Sequence, residues 1–309
     1  MHKYLIFFIF IVFQIVTVAG NEDGVLNLKV GNDKSISLTR FFQTVMPGDT
    51  FDFEIDTPNL ESVVIKSNSG RIVSTGIGKW EYIAPTLSGN YEIIITDTSE
   101  SKSIILTIFV LSPRSDKKGE YLNGYRIGNY PNENFKDREN YKKPEGFIEI
   151  TKENKDIYIT PHFQIKQFLC KQSSGWPKYL IINPKLLLKL EYLLNELNKS
   201  GTKANTIFIM SGYRTPYYNE SIGNVKFSRH VFGDAADIYV DENLDGVIDD
   251  LNDDGKNDMA DGMVMHSIIS KLENNSENDH LIGGMGKYNK NSAHTYFIHV
   301  DTRGYKARW

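Results

Sequence analysis

Cysteine is almost missing from this chain: Cys170 is the only one in 309 residues. No internal disulfide can form, so the fold depends on packing and on any ions it binds. A surplus of either charge is missing too. Lys and Arg number 35 against 39 Asp and Glu, a net charge of −4. That balance argues against nucleic acid as the main partner, because such partners demand a basic surface. After the first twenty residues there is no apolar run long enough to span a membrane. What remains is ordinary globular usage, 40% hydrophobic and 24% charged, enough to bury a sizeable core. The length exceeds one domain of average size and suits two.

The opening residues bear on the compartment. His2 and Lys3 precede an apolar run from Tyr4 to Phe13, which resumes at Ile15 and closes on Ala19 and Gly20 before polar Asn21, Glu22 and Asp23. This layout predicts a secretory signal peptide over residues 1–20, with an uncleaved membrane anchor as the alternative. A secreted or periplasmic protein, without stable membrane insertion after cleavage, is the expectation.

Residues 24–112 read as β-structure. Phe51, Phe53 and Ile55 alternate with polar residues, as do Trp80, Tyr82 and Ala84, and Tyr91, Ile93 and Ile95. Period two puts one face in a core and the other in water. Pro47-Gly48-Asp49, Asn68-Ser69-Gly70 and Ser88-Gly89-Asn90 supply turns between them. Ile104–Leu111, nearly all apolar, suits a central strand. Together these predict a small immunoglobulin-like sandwich. Residues 113–160, rich in Lys, Arg, Asn, Tyr and Pro, read as a linker packed on its neighbour through Tyr121, Tyr125, Ile127, Tyr130 and Phe147.

From residue 161 onward the pattern is α+β. Asn183 can cap a helix that has Pro184 in its first turn and Gly201 at its end. Leu187, Leu190, Leu194 and Leu197 give that helix an apolar stripe. A strand over Ile207–Met210, a helix over Asp261–Glu273 and a strand over Tyr296–Asp301 follow.

Seven histidines are present. His2, His162, His266 and His280 read as structural or peripheral. His230 stands in Ser228-Arg229-His230-Val231-Phe232-Gly233-Asp234-Ala235-Ala236-Asp237, ahead of strand-like Ile238-Tyr239-Val240. Phe297, His299 and Asp301 face one way on the last strand, since side chains alternate. If that strand pairs with the one carrying Asp237, then His230, Asp237 and His299 make a three-ligand zinc site with a fourth position open for water, the mark of a catalytic zinc.

The pattern Ser-x-His-x-x-Gly-x-Ala-x-Asp followed by His-Val-Asp resembles the D-alanyl-D-alanine carboxypeptidase and murein endopeptidase family of zinc peptidases, which shares its fold with the hedgehog signalling domain. The preceding Ser211-Gly212-Tyr213-Arg214 resembles the family's SGYR segment, and the likeness runs from about residue 121 onward. It implies an antiparallel sheet with flanking helices over 161–309 and hydrolysis of D-amino-acid peptide bonds in peptidoglycan. The metal would sit on His230, Asp237 and His299, and the stem peptides would be the partner. Arg214, Tyr213 and Ser228 are the implied substrate contacts. Many members carry Asp or Glu three residues before the last histidine ligand; here that residue is Tyr296. His294 or Asp301 is left as acid/base, and a wall-binding protein without turnover is the alternative. Finally, Asp241, Asn243, Asp245 and Asp249, with Gly246 between them, resemble an EF-hand loop and predict a structural calcium.

Overall fold

The computed structural model describes residues 26–31, 35–133, 135 and 138–309. The predicted signal peptide lies outside the described residues. No helix among those described is long and apolar enough to cross a membrane.

The first part is all β. Strands β1 (Asn27–Val30), β3 (Thr50–Asp56), β6 (Lys79–Ile83) and β5 (Arg71–Gly76) form one sheet in that spatial order. Strands β2 (Arg40–Val45), β8 (Lys102–Val110), β7 (Gly89–Asp97) and β4 (Val63–Ser67) form a second. The alternating residues Phe53, Ile55, Tyr82, Ile93 and Ile95 meet in one core with Leu106 and Ile108. The nearly unbroken apolar run lies inside its sheet, β8 pairing with β7 on one side and parallel to β2 on the other. A strand buried on both faces has no polar alternation to show. Phe42 and Phe109 explain where its outer face goes, for both belong to the core of the second half of the molecule.

The segment read as a linker is structured. It contains β9 (Ser112–Pro113), β10 (Tyr121–Leu122), β11 (Tyr125–Arg126) and β12 (Gly146–Ile150). Strand β12 pairs with both β9 and β13 (Lys178–Leu180). Tyr125, Ile127, Tyr130 and Phe147 are buried with Tyr179 and Val231. Tyr121 is the exception: it is exposed, with the Arg126 guanidinium 5.9 Å from its ring centre.

The second half is α+β. Helix α1 (Pro184–Lys199) starts where expected, the Asn183 side chain accepting from the Lys185 amide at 2.9 Å. Strand β14 (Phe208–Ser211), helix α2 (Pro216–Ser221), strand β15 (Ala235–Tyr239) and helix α3 (Met259–Asn274) follow, then β16 (Gly284–Tyr288), β17 (Phe297–Asp301) and β18 (Ala307–Arg308). The five strands form one sheet in the order β14-β15-β17-β16-β18, with only β18 parallel to its neighbour. Ala236, Ile238, Ile298 and Val300 bury against the leucines of α1 and against Met265 and Ile269 of α3. The alternate residues of β15 and β17 therefore face away from the helices, and among them are Asp237, His299 and Asp301.

Helix α1 also holds a titratable clamp. Both Glu191 oxygens engage His162, Oε2 at 2.7 Å from Nδ1 and Oε1 accepting from the backbone amide at 3.0 Å. The hydrogen bond to Glu191 raises His162 above its ordinary value of 6.5, against the opposing effect of burial. A raised histidine stabilises the fold fully below its unfolded pKa and loses that contribution as pH rises through the folded one. Glu191→Gln keeps the amide acceptor and removes the charge. Its melting temperature should fall a few degrees below wild type at pH 6, with the gap closing at higher pH. His162 is partly exposed, so the pair is worth about 1 kcal/mol or less.

Candidate metal centre

Strands β15 and β17 are antiparallel, and Asp237 lies directly opposite His299. Directly opposed side chains have Cβ atoms about 5 Å apart, so the register alone brings this carboxylate and this imidazole together. The third side chain comes from the short 3-10 turn Arg229–Phe232 that precedes β15. Gly233 ends that turn at φ 73°, and a Cβ there would stand 2.5 Å from the Ile181 carbonyl oxygen. The glycine is thus needed for handedness and for close approach to the 181–183 backbone rather than for proximity to the metal donors. Arg229 and Asp234, almost fully buried, close the turn as a two-pronged ion pair stacked on Tyr141.

His230 Nε2 lies 3.2 Å from Asp237 Oδ1 and 3.2 Å from His299 Nδ1, and His299 Nδ1 lies 2.9 Å from Asp237 Oδ1. All three residues are buried. The outer atoms are committed elsewhere. His230 Nδ1 lies 2.7 Å from the Gly212 carbonyl, to which it can only donate, so its Nε2 lone pair faces inward. His299 Nε2 lies 3.2 Å from Asp301 Oδ2, which turns Nδ1 inward in the same way. Arg214 Nη2 donates to Asp237 Oδ2 at 2.6 Å and its Nε donates to Ser211 Oγ at 2.9 Å.

The electrostatics match. Burial lowers His230, keeping it neutral. Burial alone would also lower His299, but its bonds to Asp237 and Asp301 outweigh that and push it up to about 9. Burial would raise Asp237, yet the charges and hydrogen bonds of the two histidines hold it well below the usual carboxylate range. A positive charge is wanted between these three groups. Two imidazoles and a carboxylate are a standard donor set for zinc, and donors around a tetrahedral zinc stand about 3.3–3.6 Å apart, within about half an ångström of the spacings here. Among the described residues this is the one set of three or more His, Cys, Asp or Glu side chains that converges closely enough to hold an ion.

The other predicted positions divide. Asp301 is fully buried behind His299, with Oδ1 accepting from the Gly284 amide at 2.7 Å and both oxygens engaged by Arg303. It orients the ligand and has no free face toward substrate. Tyr213 is not at the surface either; its hydroxyl bonds that of Tyr130 at 2.9 Å in the core. Ser228 precedes the His230 turn and accepts the Val231 amide at 3.0 Å through its carbonyl. His294 sits in the loop before β17, Nδ1 at 2.8 Å from the Thr295 carbonyl and Nε2 accepting from Asn291 Nδ2 at 2.8 Å, its ring edge on Phe297.

The calcium expectation finds no support. Asp241 accepts the amides of Asp245 and Gly246, Asn243 that of Asp245, Asp245 that of Val247, and Asp249 that of Glu242. These oxygens serve the loop's own backbone, as Asp and Asn side chains commonly do in turns. Further along, Asp258 and Asp261 form the capping box of α3.

Three features of the centre escaped the sequence reading. The Trp309 ring lies 5.2 Å from that of His299. Arg303 brackets Asp301. Lys189, fully buried on α1, donates to the Asp301 carbonyl at 2.7 Å and to Glu273 Oε1 at 2.7 Å. A lysine in the apolar stripe between Leu186 and Leu190 was the available signal, because buried lysines are almost always paired.

A buried His-Asp-His cluster with its outer nitrogens anchored, built where two strands and a turn meet, is a donor set able to hold one metal ion. Residues 161–269, which carry Arg214, His230 and Asp237, match the family model described as Peptidase M15. No curated protein matches the chain. Among solved structures, an endo-fucoidan hydrolase from glycoside hydrolase family 107 is 13% identical with a TM-score of 0.20; the match covers 33% of this chain and 19% of that one.

Proposed function

We propose that this protein is a secreted zinc peptidase that hydrolyses D-amino-acid-containing peptide bonds of peptidoglycan, in the hedgehog/DD-peptidase arrangement. The convergence of His230, Asp237 and His299, beside the match of residues 161–269 to the Peptidase M15 model, supports this reading most directly. Zinc, when bound, supplies Lewis-acid polarisation of the scissile carbonyl and a nucleophilic water near neutral pH. The protein's own groups do the rest. Arg214, anchored on Ser211 and Asp237, orients the substrate beside the metal. Asp301 and the Gly212 carbonyl hold the two imidazoles in the tautomers that ligation requires. His294 accepts the proton at Nε2, after Asn291 swings away, and returns it to the leaving amine.

Purified peptidoglycan incubated with the protein should release amino groups in a reaction that a chelator stops and zinc restores. His294→Ala should lower turnover roughly 10²- to 10⁴-fold, the usual worth of general acid–base catalysis, with zinc content unchanged. Full turnover in that variant would remove His294 from the mechanism.

A further inference from the structure

Strand β16 reads Gly284-Met285-Gly286-Lys287-Tyr288, and its glycines lie beside the metal donors. Gly286 stands directly opposite His299, and the Gly284 amide donates to Asp301 Oδ1 at 2.7 Å. Opposed residues share a face, so both glycines lie on the side of the sheet that carries the donors. Neither has a positive φ. Their missing side chains therefore provide room and not handedness, which in a strand marks close approach by another group. Two neighbours take that room. A Cβ on Gly284 would stand 2.5 Å from Asp301 Oδ2 and 2.8 Å from Arg303 Nη2, and one on Gly286 would stand 2.3 Å from Trp309 Nε1.

The indole is seated there from several directions. The Trp309 amide donates to the Met285 carbonyl at 3.2 Å, and the Trp309 carbonyl accepts from the Lys287 amide at 3.1 Å. Nε1 donates to the Tyr288 hydroxyl at 2.7 Å, and the Tyr288 ring is stacked on Phe297 at 4.6 Å. The Trp309 ring stands 5.2 Å from that of His299, tilted by 44°, within the range of aromatic contact. The Arg303 guanidinium lies 5.2 Å from the centre of the same indole. Arg303 grips Asp301, and Asp301 Oδ2 lies against His299 Nε2. The contacts close a circuit from His299 through Asp301, Arg303 and Trp309 back to His299.

His299 has need of such a brace. The outer torsion of a histidine is broad and has no sharp minimum of its own. Asp237 limits the imidazole on the β15 side. On the β16 side Gly286 offers no side chain, so without the indole the ring is free to swing over the glycine. His230 has no such gap beside it, being buried in its turn with Nδ1 on the Gly212 carbonyl.

We propose that Trp309 is a positioning residue of the metal centre: its indole fills the trough over Gly286 and holds His299 in the ligating rotamer before the ion arrives. The proposal rests on the metal-binding part of the peptidase reading and on nothing about the peptide. Ordering a ligand in advance raises affinity by removing that cost from the binding step.

The test uses the metal-free full chain, with zinc affinity read by competition against a chromophoric chelator. W309A should bind zinc about 10- to 100-fold more weakly than wild type, the usual effect of losing a group that orients a ligand. W309F keeps a ring beside His299 and should stay within about threefold of wild type. G286A gives an independent route to the same loss, because the new methyl displaces an indole that is still present. In the W309A/G286A double variant the methyl meets no indole, so its affinity should equal that of W309A alone. The visible absorption of bound cobalt(II) reports ligand geometry. It should change in W309A and G286A and match wild type in W309F, whereas a purely structural contribution lowers the melting temperature and leaves the spectrum alone. Zinc affinity in W309A equal to wild type, or additive losses in the double variant, overturns the proposal. Should W309A fail to fold, G286A and W309F decide, and equal zinc affinities in those two overturn it. Wild type that binds no zinc at all sinks the metal-centre reading itself, an outcome the wild-type titration alone reveals.

Discussion

His299→Ala should yield a folded protein that retains no stoichiometric zinc and hydrolyses peptide about 10³-fold more slowly than wild type. The magnitude follows from Lewis-acid stabilisation worth several kcal/mol, at 1.36 kcal/mol per decade of rate. Two donors would remain, one fewer than a catalytic zinc site uses. The fold should survive because the strand around His299 is held by others. Ile298 and Val300 pack in the core beneath it, and the pairing of β17 with β15 and β16 is made by the backbone. Asp301→Asn gives the graded counterpart. It leaves all three donors in place and weakens the anchor on His299 Nε2. Loss of such a supporting partner typically lowers metal affinity 10- to 100-fold. Metal titration against a competing chelator and circular dichroism on the same samples separate a lost ligand from a lost fold. If His299→Ala binds zinc as tightly as wild type, the centre has been misassigned.

How much of this was readable beforehand depended on range. Helix α1 was legible because its signals are local: the Asn183 cap, Pro184 in the first turn and a leucine every third or fourth residue. The strands of the first part were legible from period-two alternation that reappears as burial of Phe53, Ile55, Tyr82, Ile93 and Ile95. The metal donors were visible as residue types, but their meeting depends on Asp237 facing His299 across a register spanning 62 residues. Only the family motif could anticipate that. Segment 113–160 showed its anchors but not its strands, which are two to five residues long and carry no period. Its order comes from contacts with Tyr179 and Val231, which lie well beyond it in the chain. The acidic loop is a different case, because its signal fits two readings. Asp and Asn at alternate positions suit both an ion and the loop's own amides, and residue type alone cannot tell the two apart. Tyr213 was a substrate contact only by the family resemblance; its side chain is buried, and its hydroxyl pairs with that of Tyr130.

Lys189→Met is expected to be the most destabilising single change outside the apolar core. Lys189 and Glu273 have fully buried side chains, and the Glu273 carboxylate also takes the Gly283 amide at 3.0 Å and the Arg308 guanidinium. Breaking a buried pair by removing one partner costs about 3–5 kcal/mol where the other charge is left alone; here Glu273 keeps Arg308 and the Gly283 amide, which puts the loss at the lower end of that range. Removing the charge on both sides should recover much of that loss, since a buried ion pair is often no better than a neutral replacement. The suitable double variant is Lys189→Met with Glu273→Gln, in which the amide oxygen can still accept from Gly283. Stability and metal affinity should then part company. The Lys189 ammonium also holds the Asp301 carbonyl, and the Asp301 side chain holds His299. In the double variant that backbone grip is gone even where stability has returned. Denaturant unfolding should therefore place the double variant nearer to wild type than to Lys189→Met, while zinc titration places it with the single variant. If both quantities recover together, the Lys189–Glu273 pair serves the fold alone and has no part in positioning the metal ligand.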